Sequence, residues 1–528
     1  MKTRALFPRS LPLALGLGLL LAGAAQAQMS LELSQLQLRY RVLRSSAKPT
    51  EAQAAELRPI EEAAQTARAT GQSGVFFRNL NHGIALLEGR PWSAQDDYLQ
   101  SLVLVTDTGI FDPAHLLELR FTQRYPAGPG DLKLTARATL EPFAGVNAGP
   151  RAGKGKGREA ASRALAEFAS VPADLVFAPL RFSVDASAWQ DGPHQIVVEV
   201  RNGDTVVRKV AAPVYVVHGL DAKRADLETR VAKVAGYEAV KASIRYPFDF
   251  ARVLNHGLVP VSPFDFKGAL EKSGELLAAI EAGKDPQAAE RGTLARHYVL
   301  EGAGEIMPYR VHVPKSYDGT KAVPLIIALH GLGGTEATFM QQGGGALPKL
   351  AEQKGFIVAT PLGYRRNGGY GRMGPPGTSV DAATARMAQL SEQDVMNVLR
   401  LVREQYKIDP NRIYLMGHSM GGSGTWNLGS KYADIWAAIA PIAPGSVSPA
   451  SIPLARLKEN HVPVLSVHGD ADRTTSVETS RTMTAEMKKM GMDHEYIEVK
   501  GGTHNDVVGP NIPRIVEFFG KYQRGGTQ

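Results

Sequence analysis

Hydrophobic positions along this chain change their spacing several times, and each change predicts a different kind of element. Over residues 30–95, rich in Ala, Glu, Gln and Arg, the residues Leu33, Leu36, Tyr40 and Leu43 fall near helical spacing. Leu36, Leu38, Tyr40 and Val42 also alternate at period two, so helix is the reading there with strand as its competitor. From 96 to 217 the texture becomes short runs of Val, Leu and Phe, at 102–105, 116–121, 132–140, 180–184, 196–200 and 206–217. Polar turns at this spacing predict a small antiparallel sandwich. Within it, Asn202-Gly203 between two alternating runs predicts a tight hairpin. Residues 218–292 return to helical spacing, through Leu227 to Val234 and Phe266 to Ile280, with breaks expected at Pro247, Pro260 and Pro263; this reads as a connector.

After Gly292 apolar runs alternate with helix-length segments, at 325–329, 356–359, 413–415, 437–442, 464–467 and 496–499. That alternation predicts a doubly wound, mostly parallel α/β sheet over residues 293–528, preceded by the β domain with its flanking helices. Ser391 and Asp394 have the spacing of a capping signal and are expected to start a helix running to about Tyr406, which makes Asp394 a cap and not a catalytic acid. No internal repeat is present.

A chain of 528 residues exceeds one ordinary core, so two or three domains are expected. Lys2, Arg4 and Arg9, an apolar run from Leu11 to Leu21 and the small-x-small triplet Ala25-Gln26-Ala27 form a secretory leader, with cleavage near Ala27 and export to the periplasm or exterior. No later segment reaches the roughly 20 apolar residues of a membrane span. With no cysteine, stability has to come from packing and not from disulfides. The net charge of +8 is a weak basic bias. Its densest stretch, Arg151, Lys154, Lys156 and Arg158, is interleaved with glycine and lacks aromatics to stack on bases, which reads as a solvated loop and not a nucleic-acid surface.

The chemistry concentrates late in the chain. Gly417-His418-Ser419-Met420-Gly421 follows the run Ile413-Tyr414-Leu415, and a serine at such a strand-to-helix turn is held with its hydroxyl outward between neighbours small enough for the bend. A serine hydroxyl needs a base in hydrogen-bond reach and a third group to fix the base's tautomer. His504, in Gly502-Thr503-His504, and Asp472, in His468-Gly469-Asp470-Ala471-Asp472, follow in that order, each just past an expected strand; Asp470 on the same turn is the alternative acid. Acyl transfer also needs amide donors for an oxyanion, worth about 3 kcal/mol each in the transition state. The amides of Met420 and of Leu332, in Leu329-His330-Gly331-Leu332-Gly333-Gly334, are the candidates, with His330 supporting the turn and taking no part in proton transfer. The loop from Tyr364 to Ser379 could border a pocket or be a solvated surface loop, and Trp426 reads as core.

At these motifs, over residues 296–523, the chain resembles the α/β-hydrolase superfamily. The resemblance is to secreted bacterial esterases and peptidases related to polyhydroxybutyrate depolymerases and to the prolyl-oligopeptidase catalytic domain. It is carried by Arg310-Val311-His312-Val313-Pro314, the His330 turn, Arg412 through Gly422 with Gly424-Thr425-Trp426, and the Asp472 and His504 turns. What it implies is carboxylic ester hydrolysis through an acyl-enzyme, with no metal or cofactor, on small-molecule or polymer-borne esters. Some relatives carry an immunoglobulin-like N-terminal domain, which would suit 96–217. Two other readings compete: a serine peptidase of the oligopeptidase type, weakened because no propeller blades repeat in the first half, and a surface- or polymer-binding protein with a vestigial hydrolase. Oligomeric state is not legible.

Overall fold

The computed structural model describes residues 33, 35–44, 47, 49–143, 163–259, 264–372, 380–445 and 447–527. The leader, the basic stretch at 151–158, Pro260, Pro263 and the end of the 364–379 loop lie outside the described residues. Among those described, no helix is long and apolar enough to cross a membrane.

The chain divides into two compact units, and the helical segments expected at 28–95 and 218–292 are each shared between them. One unit contains residues 73–229 and 247–271. Its strands are β1 (Leu102–Thr106), β2 (Ile110–Phe111), β3 (Leu117–Gln123), β4 (Leu134–Pro142), β5 (Arg163–Phe168), β6 (Leu180–Val184), β7 (Gly192–Asn202) and β8 (Thr205–Val216). They form two sheets, β1-β3-β6 and β2-β8-β7-β4-β5, antiparallel except where β2 meets β8. Leu117, Leu119 and Phe121 alternate inward from one sheet and meet Ile196, Val198, Val200 and Val214 from the other in a single core. The hairpin turn sits one residue later than expected. Asn202 pairs with Thr205, so the loop is Gly203-Asp204, with the left-handed backbone at Gly203 (φ 59°) where a missing Cβ allows it. The short β2 and the mostly solvent-facing edge strand β5 were not anticipated: Arg-Ala-Leu-Ala-Glu-Phe carries no strand signature of its own.

The second unit gathers residues 34–72, 230–246 and 272–528. At its start, residues 35–44 are helical, and the helix Glu51–Ala69 opens with a reciprocal cap between Thr50 and Gln53. Tyr40 Oη donates to Glu61 at 2.6 Å and Arg44 pairs with the same carboxylate at 3.0 Å, which joins the two helices. Pro247 lies inside the helix Glu238–Asn255 and does not end it: the helix gives up one amide donor and continues.

Strands β9 (Gly292–Leu300), β10 (Glu305–Val313), β11 (Val323–Leu329), β12 (Ile357–Pro361), β13 (Ile408–His418), β14 (Ala438–Ile442), β15 (Val464–Gly469) and β16 (His494–Val499) form one sheet in the order β9-β10-β12-β11-β13-β14-β15-β16. From β12 to β16 neighbours run parallel, while β9 and β10 add an antiparallel edge that the sequence pattern did not announce. The sheet is apolar on both faces. Leu325, Ile327 and Leu329 point to one core, Ile326 and Ala328 to the other. The helices Ala382–Gln405, Met420–Lys431, Leu454–Glu459 and Val477–Lys489 cover the first face, and Thr338–Lys354 and Val508–Phe519 the second. This is the doubly wound α/β fold. The β11–β12 crossover carries its helix on the second face and the β12–β13 crossover on the first, and the carboxyl ends of strands at such a switch are where sites in open α/β sheets form.

Candidate active site

The chain turns from β13 into the helix Met420–Lys431 at Ser419, whose backbone sits at φ 57°, ψ −114°. A non-glycine residue in that region costs about 1–3 kcal/mol and persists only where its surroundings over-determine it. They do so here. Ser419 N–H donates to the Ile442 carbonyl at 2.9 Å, and a Cβ at Gly417 would lie 2.3 Å from the Gly421 carbonyl oxygen. The elbow therefore closes only with glycine at 417.

Ser419 Oγ lies 2.8 Å from His504 Nε2, and His504 Nδ1 lies 2.7 Å from Asp472 Oδ2. The three residues come from the ends of β13, β16 and β15, all at the carboxyl edge. The Asp472 side chain is fully buried, and besides the imidazole it accepts from Thr474 N at 2.7 Å, Thr475 N at 2.9 Å and Thr475 Oγ at 2.9 Å. Burial pushes its carboxyl up, but the contacts from His468, His504 and the Thr475 amide outweigh that and hold it well below the ordinary carboxylate range. Asp470 is exposed and accepts from the Gly501 amide at 2.6 Å, tying two turns together away from His504. Of the two aspartates, the structure brings Asp472 to the histidine.

One participant was missed in the sequence. His418, inside the elbow, donates from Nε2 to the carbonyl of His504 at 2.8 Å, with the two rings 4.7 Å apart. Burial, reinforced by the neighbouring imidazole of His504, lowers the His418 pKa to about 4. It stays neutral at pH 7 and holds the backbone of the other histidine. The only sequence signal was its place within the Gly-x-Ser-x-Gly motif.

The turn after β11 lies against Ser419. A Cβ at Gly331 would sit 3.3 Å from Ser419 Cβ. Among the described residues, neither the Leu332 nor the Met420 amide donates to a backbone carbonyl. The turn is clamped from the next loop: Gly333 N–H donates to the Arg366 carbonyl at 2.9 Å, and Arg366 Nε returns a bond to the Gly333 carbonyl at 2.8 Å. His330 is buried with its ring nitrogens 2.8 Å from the Gly331 carbonyl and 2.7 Å from the Leu362 carbonyl, and the Tyr370 hydroxyl donates to the His330 carbonyl at 3.1 Å. The imidazole supports the turn, as its position suggested.

Up to Arg372, the loop beginning at Tyr364 is packed against its neighbours and is not a free surface loop. Arg365 pairs with the buried Glu305 at 2.8 Å, and Tyr370 is fully buried. Contrary to the expectation from their spacing, Ser391 and Asp394 do not cap the helix. The helix starts at Ala382 with Asp381 as its cap, accepting from Thr384 N at 2.9 Å, and Ser391 and Asp394 face inward from the middle of that helix. Ser391 Oγ accepts from Tyr370 N at 3.0 Å, and Asp394 accepts from Tyr298 Oη at 2.6 Å and Tyr364 N at 2.8 Å. Residues three apart share one helix face wherever they fall, so a cap spacing inside a helix can serve a loop instead. Burial raises the Asp394 pKa to about 6. Trp426 is fully buried in the sheet's first core.

Residues 301–509 match the Esterase family model. Cutinase 2 of Thermobifida cellulosilytica is 31% identical over 148 residues, covering 28% of this chain and 51% of that protein. A bifunctional acetylxylan esterase/xylanase of Neocallimastix patriciarum is 29% identical over 172 residues, covering 33% of this chain and 22% of that protein. The chain thus spans about half or less of the length of these curated relatives. A solved S-formylglutathione hydrolase of Staphylococcus aureus covers 44% of this chain and 98% of its own at 17% identity, with a TM-score of 0.35. Over residues 301–509 the chain is therefore similar to the members of that esterase family.

Proposed function

We propose that the protein is an exported serine carboxylesterase that cleaves esters of small or medium acids through an acyl-enzyme. Ser419 is the nucleophile, His504 the general base and then acid, and Asp472 the group that orients it, with the amides of Leu332 and Met420 receiving the oxyanion. The observation that carries this reading is the unbroken hydrogen-bonded line from Ser419 Oγ through His504 to Asp472, at 2.8 and 2.7 Å.

In the first half-reaction Ser419 Oγ bonds to the ester carbonyl carbon as its proton passes to His504 Nε2. Negative charge gathers on the former carbonyl oxygen, facing the two amides, while Asp472 stabilises the imidazolium. The bond to the alcohol oxygen then breaks, and His504 returns the proton to it. Water repeats the sequence against the acyl-serine and releases the acid.

A fluorophosphonate probe should label the wild type and not Ser419→Ala, and p-nitrophenyl ester turnover should vanish with the label. A wild type that takes no label would favour a binding role, and preference for proline-containing peptide amides over acetyl-sugar, feruloyl or p-nitrophenyl esters would favour the peptidase reading. Export is part of the proposal; a mature N-terminus at Gln28, read by mass spectrometry, is the expected result.

A further inference from the structure

Behind Asp472 lies a third histidine with no assigned part in acyl transfer. His468, at the end of β15, is fully buried, and its Nε2 is 3.3 Å from three oxygens: Asp472 Oδ2, the Thr475 carbonyl and Thr475 Oγ. A carboxylate and a carbonyl can only accept, so Nε2 carries the hydrogen. The other nitrogen, Nδ1, is hydrogen-bonded at 2.8 Å to Ser480 Oγ, a buried hydroxyl on the helix Val477–Lys489. The partners on both sides thus fix the ring with Nε2–H turned toward Asp472. Thr475 in turn gives Asp472 a hydroxyl and an amide hydrogen bond.

We propose that His468 is a positioning residue for the acid of the triad: held by Ser480, it directs Nε2–H into the angle between Asp472 and Thr475 and fixes the carboxylate on which His504 turns. The inference rests on the catalytic reading above. Without that donor the carboxylate would concentrate its charge on the oxygen facing His504 and lose one of the constraints on its rotation. The first effect strengthens the imidazolium and the second loosens the base. The charged groups around the ring do not replace it. On β16, Glu498 is engaged by Arg481 of the helix, which also pairs with Glu478. From β13, His418 is committed to the His504 carbonyl.

The test is a kcat/KM pH profile for the wild type, His468→Leu, His468→Gln and His468→Asn, with thermal midpoints measured alongside. In His468→Leu the acid limb should move to higher pH by roughly half a unit or more, and kcat should fall on the order of tenfold with KM little changed. Glutamine places an amide N–H near the position of Nε2 and should restore both, whereas asparagine reaches only as far as Nδ1 and should resemble leucine. Ser480→Ala, which releases Nδ1, should show an intermediate loss. If all three His468 variants share one wild-type limb, or fall equally in proportion to their loss of thermal midpoint, His468 is only packing and the proposal is overturned. Retained turnover in Ser419→Ala would instead overturn the catalytic reading itself, a distinct outcome.

Discussion

A Cβ placed on Gly421 would stand 2.0 Å from the carbonyl oxygen of Leu329. The helix that follows Ser419 and the strand that feeds the proposed oxyanion turn are therefore in backbone contact, and neither atom belongs to a flexible side chain. Gly421→Ala should force the elbow and the turn apart. We expect loss of stability of several kcal/mol, comparable to overpacking a rigid core, and fluorophosphonate labelling slowed by at least about 100-fold. A variant that labels at the wild-type rate with an unchanged Tm would show that the two backbones can separate freely.

The triad assignment separates two neighbouring aspartates. Asp472→Asn leaves a buried amide beside His504 and should lower kcat by about 10³–10⁴. Asp470→Asn touches only an exposed bond to the Gly501 amide and should stay within severalfold of wild type. Kinetics on one ester substrate decide it, and the reverse ranking would transfer the acid role to Asp470.

Arg366 holds Gly333 from both its carbonyl and its guanidinium, which makes it the structural partner of the proposed oxyanion turn. Arg366→Met keeps the apolar stem and removes the donors. Because the turn matters most when charge develops on the substrate, we expect kcat to fall by about 10–100-fold with KM changed less than threefold. A rise in KM alone would place Arg366 in substrate binding instead.

Stability should fall on acidification below pH 6.5. His297 packs half-buried against Tyr246, with ring centroids 4.0 Å apart, and desolvation followed by the charges of Arg310 and Arg296 lowers its pKa to about 3. His418 behaves alike, at about 4. Both have folded values below their unfolded ones, so the unfolded chain takes up protons that the native state refuses, and the penalty grows from about pH 6.5 downward. Asp394 acts in the opposite sense: its value of about 6 means the native state keeps a proton the unfolded chain has lost, so its contribution weakens as pH rises from about 4 to 6. At pH 4.5 His297 should cost about 2–3 kcal/mol. Denaturant titrations of His297→Phe should show a shallower loss between pH 6.5 and 4.5 than wild type. Parallel curves would remove His297 from the account.

The parts of this molecule that were legible in its sequence are those whose signal is local. The parallel strands announce themselves because both faces are buried, giving unbroken apolar runs such as Leu325 to Leu329. Ser419 is legible because the bend permits only small neighbours, and Asp472 and His504 because each follows a strand in the right order. Long-range partnerships were not legible. Nothing near Arg366 says that it clamps Gly333, and nothing near His468 says that it faces Asp472. Asp394 was misread for the same reason: its spacing from Ser391 suits a helix start, while its partners Tyr298 and Tyr364 are distant in the chain. The antiparallel edge of β9 and β10 was missed because its strands interleave polar residues such as Arg296 and Arg310 among the apolar ones.

The helices at 35–44 and Glu51–Ala69 share a compact unit with residues 272–528. During synthesis they leave the ribosome before any strand of that sheet has been made, so this unit cannot be finished by a growing chain in the order in which it emerges. Its earliest piece has to wait, unprotected, for its latest. Nascent chains stalled before β11 should therefore be cut by protease within 35–72, and the same bonds should become resistant once translation has passed residue 519.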